Sequence, residues 1–232
     1  MIKSLHIIGF FPIFVLKYDI LNFTKKIKAY TNAPIARNLL LDILGEYKSP
    51  NDKISELLKS GELISIRRGL YAPGPQTELP TPAPFLIANH LRGPSYVSLE
   101  TALSYWGIIP ERTYEISSVC IQSSKKYNTA LGRFTFQQVS LPYYAFGIQN
   151  VQLTNEQTAL IATPEKAICD KIILTAGIKL RSSKQTMLFL LEDLRMDSTM
   201  LRKLDTSLMT SWLPDAPKKS SLQMLISTLK EI

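Results

Sequence analysis

Two cysteines, two histidines and ten glycines are few for 232 residues, and each scarcity excludes something. Cys120 and Cys169 lie far apart in apolar runs, so no disulfide framework is expected; they read as reduced, buried small hydrophobes of an intracellular, cytoplasmic protein. His6 and His90 neighbour neither a cysteine nor an acidic pair, so no zinc site, and no other metal or cofactor, is expected. The chain lacks Gly-x-Ser-x-Gly, a glycine-rich phosphate loop and Asp-x-Asp. A nucleotidyltransferase needs paired metal-binding carboxylates after a Gly-Ser turn, and none follow. Asp42 with Glu46-Tyr47-Lys48 spells a restriction-nuclease pattern, but at the end of a helix rather than on a strand. With no mechanism-bearing set, no enzyme is expected. Long apolar runs are missing as well. Leu5 to Leu16 is interrupted by Gly9 and Pro12 and falls short of the roughly 20 residues that span a membrane. Lys3 before it resembles a signal peptide, yet Lys17, Tyr18 and Asp19 follow instead of a small-residue cleavage site. Residues 1–16 are read as an apolar arm, with no membrane partner.

What is present is a balanced globular composition, 45% apolar and 20% charged, with 27 Lys+Arg against 19 Asp+Glu. The formal charge of +8 points to a polyanionic partner. It is unevenly spread. Residues 1–75 hold 11 basic and 6 acidic groups, a net +5; residues 76–232 hold 16 and 13, a net +3. Between Pro73 and Pro84, PGPQTELPTPAP cannot be helix interior or central strand. The organisation expected is an arm (1–16), a small basic domain (17–75), a Pro-rich linker (76–84) and a larger α/β domain (85–232), an α+β fold overall.

In the small domain, Ile20, Phe23, Ile27 and Tyr30 form one apolar helical face, with Lys25, Lys26 and Lys28 off it. Pro34 suits the first turn of a second helix, with Ile35, Leu39, Leu40 and Ile43 buried and Gly45 at its end. Ser49-Pro50-Asn51-Asp52 reads as a capping box that starts a third helix, buried through Ile54, Leu57 and Leu58 and stopped by Gly61. Leu63–Ile66 and Leu70–Ala72 are strands around an Arg67-Arg68-Gly69 turn. Three short helices and a basic hairpin are the order of a winged helix-turn-helix, which reads DNA with helix three and touches phosphate with the hairpin tip. Contacts are expected from Lys48, Ser49, Asn51 and Lys53 at the helix start, Lys59 farther along, Arg67 and Arg68 at the tip, and Tyr71 on the returning strand. Asp52 and Glu56, on the exposed side of helix three, oppose this reading.

In the larger domain, Ser98 caps a helix with Glu100 in its first turn and Leu99, Ala102, Leu103 and Trp106 on its apolar face, stopped by Gly107. Strands are expected at Tyr114–Ile121, Arg133–Val139, Tyr143–Ile148 and Thr158–Ala162. A helix starts at Thr163-Pro164-Glu165, and three more cover Ser183–Arg195, Ser198–Leu208 and Ser221–Leu229. Lys125, Lys126 and Arg133 read as a basic loop between strands, Lys218 and Lys219 as a solvated loop. Lys166 and Asp170, spaced i, i+4, suit a surface pair of about 0.3–0.5 kcal/mol.

RRGLYAPG (67–74), GPSYVSLETALSYWGIIPE (93–111) and IATPEKAICDKI (161–172) together resemble the AbiEi family of antitoxins from type IV toxin–antitoxin systems. The resemblance covers about residues 30 to 180. It implies an amino-terminal winged helix that represses its own promoter, joined to an α/β antitoxin domain that counteracts a nucleotidyltransferase-like toxin without a stable complex. Arg67, Arg68, Gly69 and Tyr71 match the wing motif. Ser98, Ala102, Leu103 and Gly107 match the first motif of the antitoxin domain; Thr163, Glu165, Lys166, Ala167 and Asp170 match the second. The partners so implied are promoter DNA, bound as monomer or dimer, and the cognate toxin. The alternatives are a stand-alone winged-helix regulator whose larger domain senses a ligand or dimerises, and a protein-binding module that does not touch DNA.

Overall fold

The structure, a computed structural model, describes residues 22–232; Ile20 and the apolar arm 1–16 lie outside them. The fold mixes helices with two sheets and divides into two compact units, the second running Ala83–Ile232.

The first unit opens with helical residues 22–27 (α1), then strand β1 (Ile35–Ala36), helices α2 (Arg37–Ile43) and α3 (Pro50–Ser60), and strands β2 (Leu63–Arg67) and β3 (Leu70–Pro73). Its sheet has the order β1-β3-β2, antiparallel throughout. Phe23, Ile27, Ile35, Leu40, Leu44, Ile54, Leu57, Leu63 and Tyr71 are the core, with Leu58 and Leu79 packed at its margin. Two expectations fail here. Tyr30 is exposed, because the α-helix has tightened into a 3-10 turn by Lys28 and rotates Tyr30 off the buried face. Pro34 does not start a helix: Ile35 and Ala36 are extended and pair with Tyr71 and Leu70, so the helix starts at Arg37. Gly61 ends α3 at φ +79, the left-handed conformation glycine tolerates best. Gly74 is required for another reason. Its N–H donates to Glu62 O at 2.8 Å, and a Cβ there would stand 2.1 Å from Gly61 O. The proline-rich segment is locally folded at both ends, as a 3-10 turn at Pro75–Thr77 and with Pro84 opening a helix, where its missing N–H costs nothing.

The second unit runs α4 (Pro84–Leu91), β4 (Ser95–Val97), α5 (Leu99–Tyr105), β5 (Glu115–Cys120), β6 (Lys125–Thr129), β7 (Gly132–Gln138), β8 (Ile148–Thr154), β9 (Gln157–Ala162), α6 (Pro164–Leu174), α7 (Ser183–Leu188), α8 (Ser198–Leu201), α9 (Thr206–Trp212) and α10 (Lys219–Lys230). The sheet order is β6-β7-β5-β4-β9-β8. Strands β4/β9 and β5/β7 run parallel, the other neighbours antiparallel. Tyr143–Ala145 is a 3-10 turn and not a strand, and Tyr143 and Tyr144 are buried there. Lys125 and Lys126 lie on edge strand β6 and not in a loop. The segment 183–195 is α-helix only to Leu188 and continues as a π-turn over Phe189–Asp193, and 198–208 splits between α8 and α9, each capped by an aspartate. Cys120 and Cys169 are free and buried.

Candidate nucleic-acid interface

In the first unit, three elements converge on the hairpin turn. Gly69 takes φ +80, which lets Arg67 and Arg68 stand exposed at the tip. The Arg37 N–H donates to Gly69 O at 3.0 Å, tying the start of α2 to the turn. The Arg37 guanidinium donates to Asn51 Oδ1 at 2.8 Å, tying α2 to the first turn of α3. Lys48, Ser49, Asn51 and Lys59 are exposed. Arg37 was invisible to sequence reasoning: its place depends on a two-residue strand, too short to show alternation.

The start of α3 differs from a capping box. The Ser49 hydroxyl does not accept from the helix; it donates to Asp52 Oδ2 at 2.5 Å. Glu56 accepts from Lys53 Nζ at 3.0 Å. Glu56 is therefore paired with a cation, whereas Asp52 keeps its charge and is only oriented by a neutral hydroxyl. The same geometry removes Lys53 from the contact surface: it is 7% exposed, and its ammonium lies 5.1 Å from the Tyr47 ring centroid. Tyr71 leaves it too, being a core residue whose strand is paired on both sides.

In the second unit, Ser98, Lys166 and Asp170 of the two longer sequence motifs meet inside the protein. Lys166 and Asp170 are fully buried, Nζ to Oδ1 3.2 Å, where a surface pair was expected. Ser98 does not cap α5; its hydroxyl donates to Asp170 Oδ2 at 2.7 Å, alongside the Tyr96 hydroxyl at 3.0 Å. Lys166 Nζ donates to Tyr143 O at 2.9 Å and lies 3.2 Å from the Tyr143 ring centroid, a cation–π contact. Burial pulls the Lys166 pKa down, against the pull of Asp170. Burial, then the Asp170 charge, pushes the Tyr96 and Tyr143 phenols well above their usual value. The rest of α6 is anchored the same way. Glu165 accepts from the Asp205 N–H at the head of α9 (3.1 Å), and Lys171 binds Glu100 of α5. Lys218 is no solvated residue: its Nζ caps the last turn of α6 through Ile172 O and Thr175 O at 2.9 and 2.7 Å. These groups position elements; Tyr96, Ser98, Lys166 and Asp170 are buried, and Glu100, Glu165, Lys171 and Lys218 are partly exposed.

Lys125, Lys126 and Arg133 are exposed. Both lysines line a groove of about 800 Å³ over β5, β6 and β7, with Glu100, Ser117, Ser124, Thr135 and Gln137. Glu115 on its wall accepts from the Thr135 hydroxyl. Among the described residues no cluster of three or more His, Cys, Asp and Glu is placed to hold a metal, and no helix is long and apolar enough to cross a membrane.

No family model matches the chain, and no curated protein matches it. Among solved structures it is similar to the RV2827C protein from Mycobacterium tuberculosis, with a TM-score of 0.62 at 11% identity, covering 90% of this chain and 76% of that one. At that identity the likeness is one of fold alone.

Proposed function

We propose that the chain is an AbiEi-type antitoxin of a type IV toxin–antitoxin system: a cytoplasmic, non-enzymatic autorepressor that binds its own promoter DNA and counteracts a nucleotidyltransferase-like toxin. The first unit acts as a winged helix, with α3 toward the major groove and the β2–β3 turn on phosphate. One observation carries this reading. Arg37, Asn51 and the Arg67-Arg68-Gly69 turn are tied into one exposed basic surface while Asp52 and Glu56 are held by Ser49 and Lys53. The contact set is Arg37, Lys48, Ser49, Asn51, Lys59, Arg67 and Arg68. In the second unit, the buried Ser98–Lys166–Asp170 set shapes the antitoxin domain and its surface does the neutralising.

The test has two arms. The full chain should shift DNA from upstream of its own gene, and a fragment lacking residues 1–82 should not. That fragment should still protect cells expressing the neighbouring toxin gene; loss of protection with the fragment folded rejects the antitoxin role. A second reading, a regulator whose larger unit senses a ligand, is favoured by the polar groove over β5–β7. DNA affinity that changes with a small molecule bound there would select it.

A further inference from the structure

The two edges of the six-stranded sheet are built differently. Strand β6 opens with Lys125 and Lys126, both exposed, the charge pattern that keeps an edge from pairing. Strand β8, IQNVQLT, has no charge and no proline over seven residues.

Its hydrogen-bond pattern is fixed by one contact. Thr163 N–H donates to Gly147 O at 2.8 Å, so the β8–β9 pairs that exchange bonds are Gly147/Thr163, Gln149/Ile161 and Val151/Ala159. Ile148, Asn150 and Gln152 then turn their N–H and C=O away from β9. On β9 the same alternation turns Leu160 toward β4, and there a side chain fills the gap. The Leu160 N–H donates to Asn89 Oδ1 at 2.8 Å, and Asn89 Nδ2 donates to Leu160 O at 3.3 Å. Strand β8 has no such cover: among the described residues, the outward groups of Ile148, Asn150 and Gln152 make no hydrogen bond. Ile148, Gln149, Val151 and Leu153 are only half-buried at this rim.

We infer that β8 is the interface with a second copy of this chain, paired antiparallel about a two-fold axis beside Asn150. Asn150 then faces Asn150 of its partner, and Ile148 faces Gln152. All three pairs are of the bonded kind, giving six N–H···O bonds and joining two sheets into one. The register is self-complementary, and an uncharged strand meets no like charge although each chain carries +8. The irregularity between Gln152 and Thr154 ends the seam on one side and the Gly147 turn on the other. So short a seam belongs to the small, transient class of interface, and the dimer forms in a concentration-dependent way. The inference does not rest on the proposed function.

Sedimentation of the full chain from micromolar to near-millimolar concentration should show a reversible monomer–dimer equilibrium. Asn150→Cys should then be joined across the axis by a short bifunctional thiol reagent. Bonded antiparallel partners lie about 5.5 Å apart at Cα, with Cβ atoms too far apart for an unstrained disulfide but within such a reagent's reach. Thr158→Cys on β9 should not, and buried Cys120 and Cys169 do not compete. Asn150→Pro removes the central donor, and Asn150→Lys places on β8 the charge that guards β6; each should leave a folded monomer, and the lysine variant serves if the proline variant misfolds. A chain monomeric at every concentration overturns the proposal. So does a dimer that survives Asn150→Lys while Asn150→Cys fails to cross-link.

Discussion

Lysine, arginine and carboxylate do opposite work in the two units. In the first, Arg67, Arg68, Lys48 and Lys59 are exposed, and the acidic neighbours Asp52 and Glu56 accept hydrogen bonds from Ser49 and Lys53. In the second, Lys166 and Asp170 stand in none, held by Ser98, Tyr96 and a Tyr143 carbonyl. Solvated charge adds little stability; buried charge is committed to the fold, and removing one member strands the other. The lesson is that a basic residue in a family-like motif is not by itself a contact residue.

The sharpest way to break this contrast is at its buried end. Asp170→Ala leaves Lys166 buried and unpaired and should cost about 3–5 kcal/mol, read as loss of the second unit's unfolding transition at ordinary temperature. Lys166→Met with Asp170→Leu removes both charges and should recover most of that loss. Next in size is Gly74→Ala, which forces a methyl onto Gly61 O and should lower the first unit's unfolding free energy by about 1–3 kcal/mol without touching the second. Within the first unit, Lys53 and Arg68 separate cleanly. Lys53→Ala should cost stability and leave the salt dependence of DNA binding unchanged. Arg68→Ala should keep stability within about 0.5 kcal/mol and lower the salt slope by about one.

The smallest effect is in alkali. Tyr143 and Tyr96 keep their protons in the folded state above pH 10, where unfolded phenols lose them. The unfolded chain then binds fewer protons, and stability falls as pH rises past about 10. Lys166 acts in the other direction below about 10.5, because its unfolded ammonium holds a proton that the folded one releases sooner. Tyr143→Phe removes one of these two phenols and should flatten the loss between pH 10 and 11 in denaturant titrations.

Much of this was legible from residue order. Proline in the first turn marks the start of α3 and α6, and Gly61 marks the end of α3, because those signals are local. Alternation marks β7. What stayed hidden depends on distant partners. Strand β1 exists only because Leu70 and Tyr71 pair with it. The burial of Lys166 and Asp170 depends on Tyr96, Ser98 and Tyr143, some 23 to 74 residues away. Spacing of i, i+4 says two side chains share a face; it does not say which way that face looks. Lys125 and Lys126 failed similarly, since lysines suit an edge strand as well as a loop.

The exposed end of the contrast carries the account, and one measurement tests it most directly: affinity of the full chain for DNA upstream of its own gene across a salt series, with and without Arg67→Ala and Arg68→Ala together. The slope of log affinity against log salt should fall by about two in the variant while its unfolding midpoint stays put. An unchanged slope in a folded variant would take the β2–β3 turn off the DNA and contradict the proposed contact.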